Sequence, residues 1–245
     1  MTEYIKPNKN QKCIIVTFLY KEHYSQYEEM SIKNLFNILG NNYDIIACCP
    51  YFLDLTYYQN NFKFDHYIKF SDCFFLDFPK GYNALLTNID FYKIFSSYEF
   101  MLIHHSDAWL FKDELEYWCN ENYDNIGAPF IYYFFYNVKN FRNYNSKNRV
   151  GNGGLCLRKI SWCINTLQTN KFDEFDKSKL HNGEHLNEDT FFANQNGNMP
   201  SFYIAQKFAW SDHPAILFQV NDGQLPFGAH RFTHYIDMYK NLNII

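Results

Sequence analysis

Three short apolar runs constrain this chain more than any other feature: CIIVTF at 13–18, DIIACC at 44–49 and FMLIH at 100–104. None of them alternates apolar with polar residues. An alternating strand keeps one face wet, whereas a nearly continuous apolar strand is buried on both faces. Burial on both faces requires helices above and below the sheet. That favours strands joined by helical crossovers, and so a mainly parallel sheet. The intervening sequence supplies the helices. Residues 24–39 have helical spacing, with Tyr27, Met30, Leu35 and Ile38 near one face and Gly40 as the stop. Residues 82–95 read as a second helix.

Weaker signals fill in the rest. Residues 62–70, the stretch YDNIGA, and the short segments 155–157 and 202–205 read as strands. Residues 113–119 (DELEYWC), 159–169 and 188–196 read as helices, the first with acidic residues in its opening turn. Residues 130–149 are aromatic and rich in Asn, without a period, and long irregular stretches of this kind are often functional. An aromatic face at 130–144 suits a sugar acceptor, a membrane or a second copy of the chain. No repeat or Gly/Pro/Ser-rich linker interrupts the sequence, so one domain over 1–245 is expected, with a polar tail at 1–12.

Composition excludes several classes. The net charge is -4 with no basic run, which argues against a nucleic-acid partner. No apolar stretch is long enough to span a bilayer, and the polar start MTEYIKPNKNQK lacks the apolar core of a signal peptide. The seven cysteines form no CxxC pair, so buried reduced thiols in a cytoplasmic protein are expected rather than a cysteine-built zinc site. There is no GxSxG, HExxH or kinase signature.

Four places carry candidate chemistry. Asp107, just past the 100–104 strand, is placed to hold a divalent cation on a diphosphate, or to cap the following turn. His104 and His105 beside it are ligands or structural residues. In VGNGG, Gly153 and Gly154 let the backbone approach a ligand closely, or form a tight turn before a strand. Asn152 bonds a sugar hydroxyl or its own backbone. In NEDTFF, Glu188 and Asp189 are a general base with an acceptor-binding neighbour, or an acidic helix start capped by Asn187. In PFGAHRF, His230 closes a metal site with Arg231 balancing phosphate charge, or it is a surface histidine.

The order HHSDAWLFKDELEYWC, YDNIGAPF, VGNGGLCLRK, NEDTFF and PFGAH, across residues 13–232, resembles a group of glycosyltransferase-like proteins within the GT-A superfamily of nucleotide-sugar-dependent transferases. The resemblance implies a single-domain GT-A-like (Rossmann-like) α/β fold, a mainly parallel mixed sheet flanked by helices. A nucleotide-binding half at about 13–111 and an acceptor-binding half at about 112–245 follow from it. GT-A folds hold Mn²⁺ or Mg²⁺ with an Asp-x-Asp element at a strand end. Here that element is reduced to His105-Ser106-Asp107, so Asp107 holds either the metal or the donor's ribose or sugar. His230 matches the late histidine that completes the metal shell. Asn152, Gly153 and Gly154 match the loop against donor and acceptor, and Asp189, with Glu188 beside it, matches the base of inverting members. Thr17, Tyr20 and Asn83 fall where donor contacts are expected, with Tyr20 stacking on the base. The implied partners are a nucleotide-sugar donor, expected to be UDP-linked, and a glycan or lipid-linked saccharide acceptor, so peripheral membrane association stays open. Two other classes remain. The missing second aspartate suits a carbohydrate- or nucleotide-binding module without catalysis. The set Asp107, His104, His105 and His230 suits a metal-dependent hydrolase of phosphate esters or sugar nucleotides.

Overall fold

A computed structural model describes residues 5–10, 12–131, 150–180 and 185–244. Beyond Ile131, the aromatic stretch at 130–149 lies outside the described residues. Strands β1 (Cys13–Phe18) and β2 (Asp44–Pro50) are joined by α1 (Gln26–Leu39), and α2 (Thr56–Asn61) leads to β3 (His66–Phe70). Three short helices, α3 (Cys73–Leu76), α4 (Lys80–Leu86) and α5 (Ile89–Ile94), precede β4 (Phe100–His104). Next come β5 (Trp109–Leu110), α6 (Leu115–Asn120), β6 (Asn125–Pro129), β7 (Val150–Lys159) and α7 (Ile160–Thr169). The chain continues through α8 (Glu188–Ala193), α9 (Phe202–Phe208), β8 (Ala209–Trp210), α10 (Pro214–Val220), β9 (Gly228–Ala229) and α11 (Ile236–Asn241).

The six-stranded sheet has the order β3-β2-β1-β4-β7-β6. Its first four strands are parallel, and β7 runs antiparallel to both β4 and β6. The continuous apolar runs divide by parity. Cys13, Ile15, Phe100 and Leu102 enter one core, while Ile14, Val16, Met101 and Ile103 enter the other. The chain leaves β1 for β2 on one side and later returns to β4 on the other. This reversal opens a crevice at the strands' carboxyl ends. The small sheet β5-β9-β8 sits over a third cluster that includes Trp210, Phe232 and Tyr239.

Four sequence expectations need correction. First, α1 buries Glu28, Ser31, Ile32, Leu35 and Leu39, while Tyr27 and Met30 face outward. The polar members are buried because they satisfy the segment after β4. Ser106 donates to Glu28, Ser31 donates to the Ala108 carbonyl, and Asn34 pairs with both backbone groups of Leu110. Second, 82–95 is two helices, because Asn88 starts a new one by accepting the Asp90 N–H at 2.9 Å. Third, residues 202–205 are helical. Phe202, Ala205 and Gln206 bury one face at helical spacing, a period that four residues are too few to show. Fourth, the glycine motif lies within β7, which spans Val150–Lys159, and does not form a turn ahead of a three-residue strand.

Candidate functional site

The site forms because four segments end in one place. Antiparallel pairing of β4 with β7 sets His104 opposite Leu155, which brings His105 to Gly154, and the His105 N–H donates to the Gly154 carbonyl at 2.9 Å. Pairing of β5 with β9 carries His230 alongside, and Phe232 N–H donates to the Asp107 carbonyl at 2.8 Å. Helix α8 starts under the glycines, where the Gly153 N–H donates to Asp189 Oδ2 at 3.1 Å. Together they line a cleft of about 840 Å³ that also takes in Tyr20, Lys21, Glu28, Tyr82 and Asn83. A more open hollow of about 910 Å³, among Asn41, Asp113, Glu116 and Asn120, holds none of the sequence candidates.

His105, Asp107 and His230 offer ligand atoms that all lie within 4.8 Å of one another. Each imidazole has an orienting partner. His105 Nε2 lies 2.6 Å from the Tyr82 hydroxyl, and His230 Nδ1 donates to Asn152 Oδ1 at 2.7 Å. With its proton on Nδ1, His230 keeps its Nε2 lone pair free, 3.5 Å from Asp107 Oδ1. Burial, reinforced by the facing His230, pushes the His105 imidazole down to about 4, and burial lowers His230 as well. Both are therefore neutral at pH 7, the form that binds a metal. Two neutral imidazoles, each held by a neighbour, and one carboxylate fit a divalent transition-metal ion. His104 takes no part. It shares the strand face of Phe100 and Leu102, is fully buried, and burial pushes it down to about 3.

The second cluster is the carboxylate pair. Asp189 accepts backbone N–H groups from Gly153 and Thr190, and burial outweighs them to raise its pKa. Glu188 is 2 % exposed and forms an ion pair with fully buried Arg158 at 2.6 Å, although the guanidinium N–H is not aligned as a hydrogen bond. Burial lifts Glu188 to about 7, against the pull of Arg158 and with a smaller push from Asp189. Arg158 is held further by the Tyr92 hydroxyl at 3.1 Å and lies 4.6 Å over the Phe192 ring.

Most of the expected site residues meet in the cleft, with different immediate partners from those expected. Asn152 orients His230. Asn83 accepts the Glu188 N–H at 3.0 Å and donates to Asn187 at 3.2 Å, so its amide anchors the start of α8. Thr17 is fully buried in β1 and does not line the cleft. Tyr20 lines it and is 51 % exposed. Arg231 is paired with Asp212. Sequence reasoning missed Arg158, Tyr82 and Glu28. Arg158 had a signal, since an arginine inside the apolar strand LCLRK needs a buried acid.

A family model described as "Protein of unknown function (DUF5672)" matches residues 66–230, well over half of the chain. The chain belongs to the DUF5672 family. That match runs from the start of β3 to His230 and so contains both clusters of this DUF5672 protein. No curated protein matches it in sequence. Solved structures similar to it include the galactosyltransferase LgtC with donor and acceptor sugar analogs, at TM-score 0.55 and 10 % identity over 89 % of this chain and 86 % of that one. Mouse xyloside xylosyltransferase 1 is similar at TM-score 0.51 and 9 % identity, over 89 % and 97 %. The glycosyltransferase GlyE of Streptococcus pneumoniae TIGR4 is similar at TM-score 0.53 and 13 % identity, over 91 % of this chain and 54 % of GlyE. At such identity the likeness is one of fold, and the DUF5672 chain has the GT-A fold.

Proposed function

We propose that this protein is a glycosyltransferase that moves a sugar from a UDP-linked nucleotide-sugar donor to a hydroxyl of a glycan or glycolipid acceptor. One observation carries the reading. An imidazole–carboxylate cluster and the carboxylate pair of buried Glu188 and half-buried Asp189 share a single cleft at the carboxyl edge of a GT-A sheet. The cleft's charge supports it. Glu28, Asp107, Glu188 and Asp189 line it, and among the described residues the one lysine lining it, Lys21, is paired with Glu28 at 2.6 Å. A donor diphosphate entering alone would meet carboxylates. Mn²⁺ or Mg²⁺ held by His105, Asp107 and His230 would supply the positive charge that stabilises a leaving nucleoside diphosphate.

In this reading Asp189 is the base. It takes the proton of the acceptor hydroxyl, whose oxygen bonds to the anomeric carbon. The bond from that carbon to the diphosphate oxygen breaks, its electron pair leaves with the nucleotide, and the configuration inverts. The raised pKa of half-buried Asp189 brings it nearer the working pH, where a base is effective. Glu188, fixed by Arg158, bonds the acceptor beside it. Tyr20 stacks on the base, and the halves at about 13–111 and 112–245 act as one domain. Asp189→Asn tests the assignment. Transfer from a UDP-sugar should be abolished while UDP still raises the unfolding temperature. Retained turnover would remove the base. Nucleotide binding by wild type without transfer to any acceptor would indicate a binding module, and phosphate release without a glycosylated product would indicate a hydrolase.

A further inference from the structure

Phe78 is 75 % exposed and Leu76 is 70 % exposed, the highest values among the exposed large hydrophobic side chains of the described residues. A single exposed apolar residue needs no explanation. Phe78, however, lines the same cleft as Asp107 and Asp189. Its ring centroid is 6.1 Å from that of Tyr82, and the Tyr82 ring is 5.3 Å from that of His105. Phe74 and Phe75 line the cleft with it. An aromatic wall thus leads from exposed Phe78 to the ion cluster, with Tyr82 between them.

A wall of this kind next to carboxylates has the chemistry of a pyranose ring. Such a ring has an apolar C–H face and a rim of hydroxyls, and the aromatic rings take the first while carboxylates accept from the second. We infer that the Phe78 face is a carbohydrate platform that receives a ring of the acceptor glycan, an inference that rests on the transferase reading. A membrane is the competing occupant of exposed apolar side chains. Exposed Asp77 stands between Leu76 and Phe78, and Asp72 lies just ahead of α3. Exposed Lys80 lies 4.0 Å from Asp77, so the patch carries no excess positive charge to draw it to an anionic lipid surface.

The test compares wild type, Phe78→Ala and Phe78→Trp in three measurements: binding to an array of immobilised glycans ending in hexopyranosides, thermal shift by UDP with Mn²⁺, and co-sedimentation with phosphatidylcholine–phosphatidylglycerol vesicles. Phe78 is mostly exposed, so its removal leaves the core intact. We expect the wild type to bind a subset of the glycans, Phe78→Ala to bind them about tenfold more weakly, and Phe78→Trp to restore binding. The UDP shift should be unchanged in all three. The platform is overturned if no glycan binds, if glycan binding is indifferent to Phe78→Ala, if the UDP shift disappears with Phe78, or if vesicle binding is what Phe78→Ala removes. Glycan binding that depends on Phe78 in a protein with no UDP shift would sink the transferase reading and leave the platform standing. Transfer activity with an acceptor KM indifferent to Phe78→Ala would do the reverse.

Discussion

At the scale of the residue, the ion cluster differs from an all-carboxylate one through His105, which stands in the first place of the strand-end element. Imidazole suits Mn²⁺, Co²⁺ and Zn²⁺ better than Mg²⁺, which prefers oxygen ligands. Calorimetric titration of metal-free protein should therefore give Mn²⁺ and Co²⁺ tighter binding than Mg²⁺, and Asp107→Ala should abolish it. Mg²⁺ binding as tight as Mn²⁺ would exclude His105 from the shell. Glu188 makes a prediction about pH. Its folded pKa of about 7 lies above the ordinary 4.5, so between those values the native state binds a proton that the unfolded chain has released. Its contribution to stability is complete below about 4.5 and is lost as the pH rises through about 7. Glu188→Gln has no such proton. The unfolding temperature of wild type, measured relative to Glu188→Gln, should fall across that window, and a flat difference would show that burial does not raise the group.

At the scale of the element, β7 shows why three glycines share a strand. A Cβ on Gly154 would collide with the His230 ring, and one on Gly153 with the Glu188 carboxylate. Gly151, with φ at +112°, has a backbone that L side chains rarely adopt. The strand therefore runs flush against both clusters. Gly154→Ala should push His230 off Asp107, cost about 1–3 kcal/mol by overpacking, and remove Mn²⁺ binding together with stability. Urea unfolding and calorimetry on the same variant check both, and a stable Gly154→Ala protein with normal Mn²⁺ affinity would refute the packing account. On the other side, α1 grips the segment from Ser106 to Leu110 with Glu28, Ser31 and Asn34. Asp107 is thus carried by a loop whose neighbours on both sides are pinned.

At the scale of the whole molecule, the cleft's acidity makes nucleotide and metal interdependent. UDP with Mn²⁺ at a hundred times its dissociation constant should stabilise the protein by about 2.7 kcal/mol, and UDP alone by much less. Equal shifts with and without Mn²⁺ would detach the metal from the donor site. The sequence by itself determined the sheet's parallel core. Burial of 13–18, 44–49 and 100–104 on both faces follows from local composition, because an apolar run without alternation has no wet side. It also marked Asp107, Glu188, Asp189 and His230 as chemically capable, since residue type is local information. Only the tertiary structure decided which of them meet. His104 and His105 are equivalent in sequence, yet strand parity sends one into the core and the other into the cleft. Asn152 and Asn83 have the chemistry of ligand contacts, but their partners are His230 and Glu188, 78 and 105 residues away. Arg158 finds its acid, Glu188, only when α8 packs under β7. Those pairings depend on long-range register, set by the packing of the whole sheet and its helices, and no local pattern encodes it.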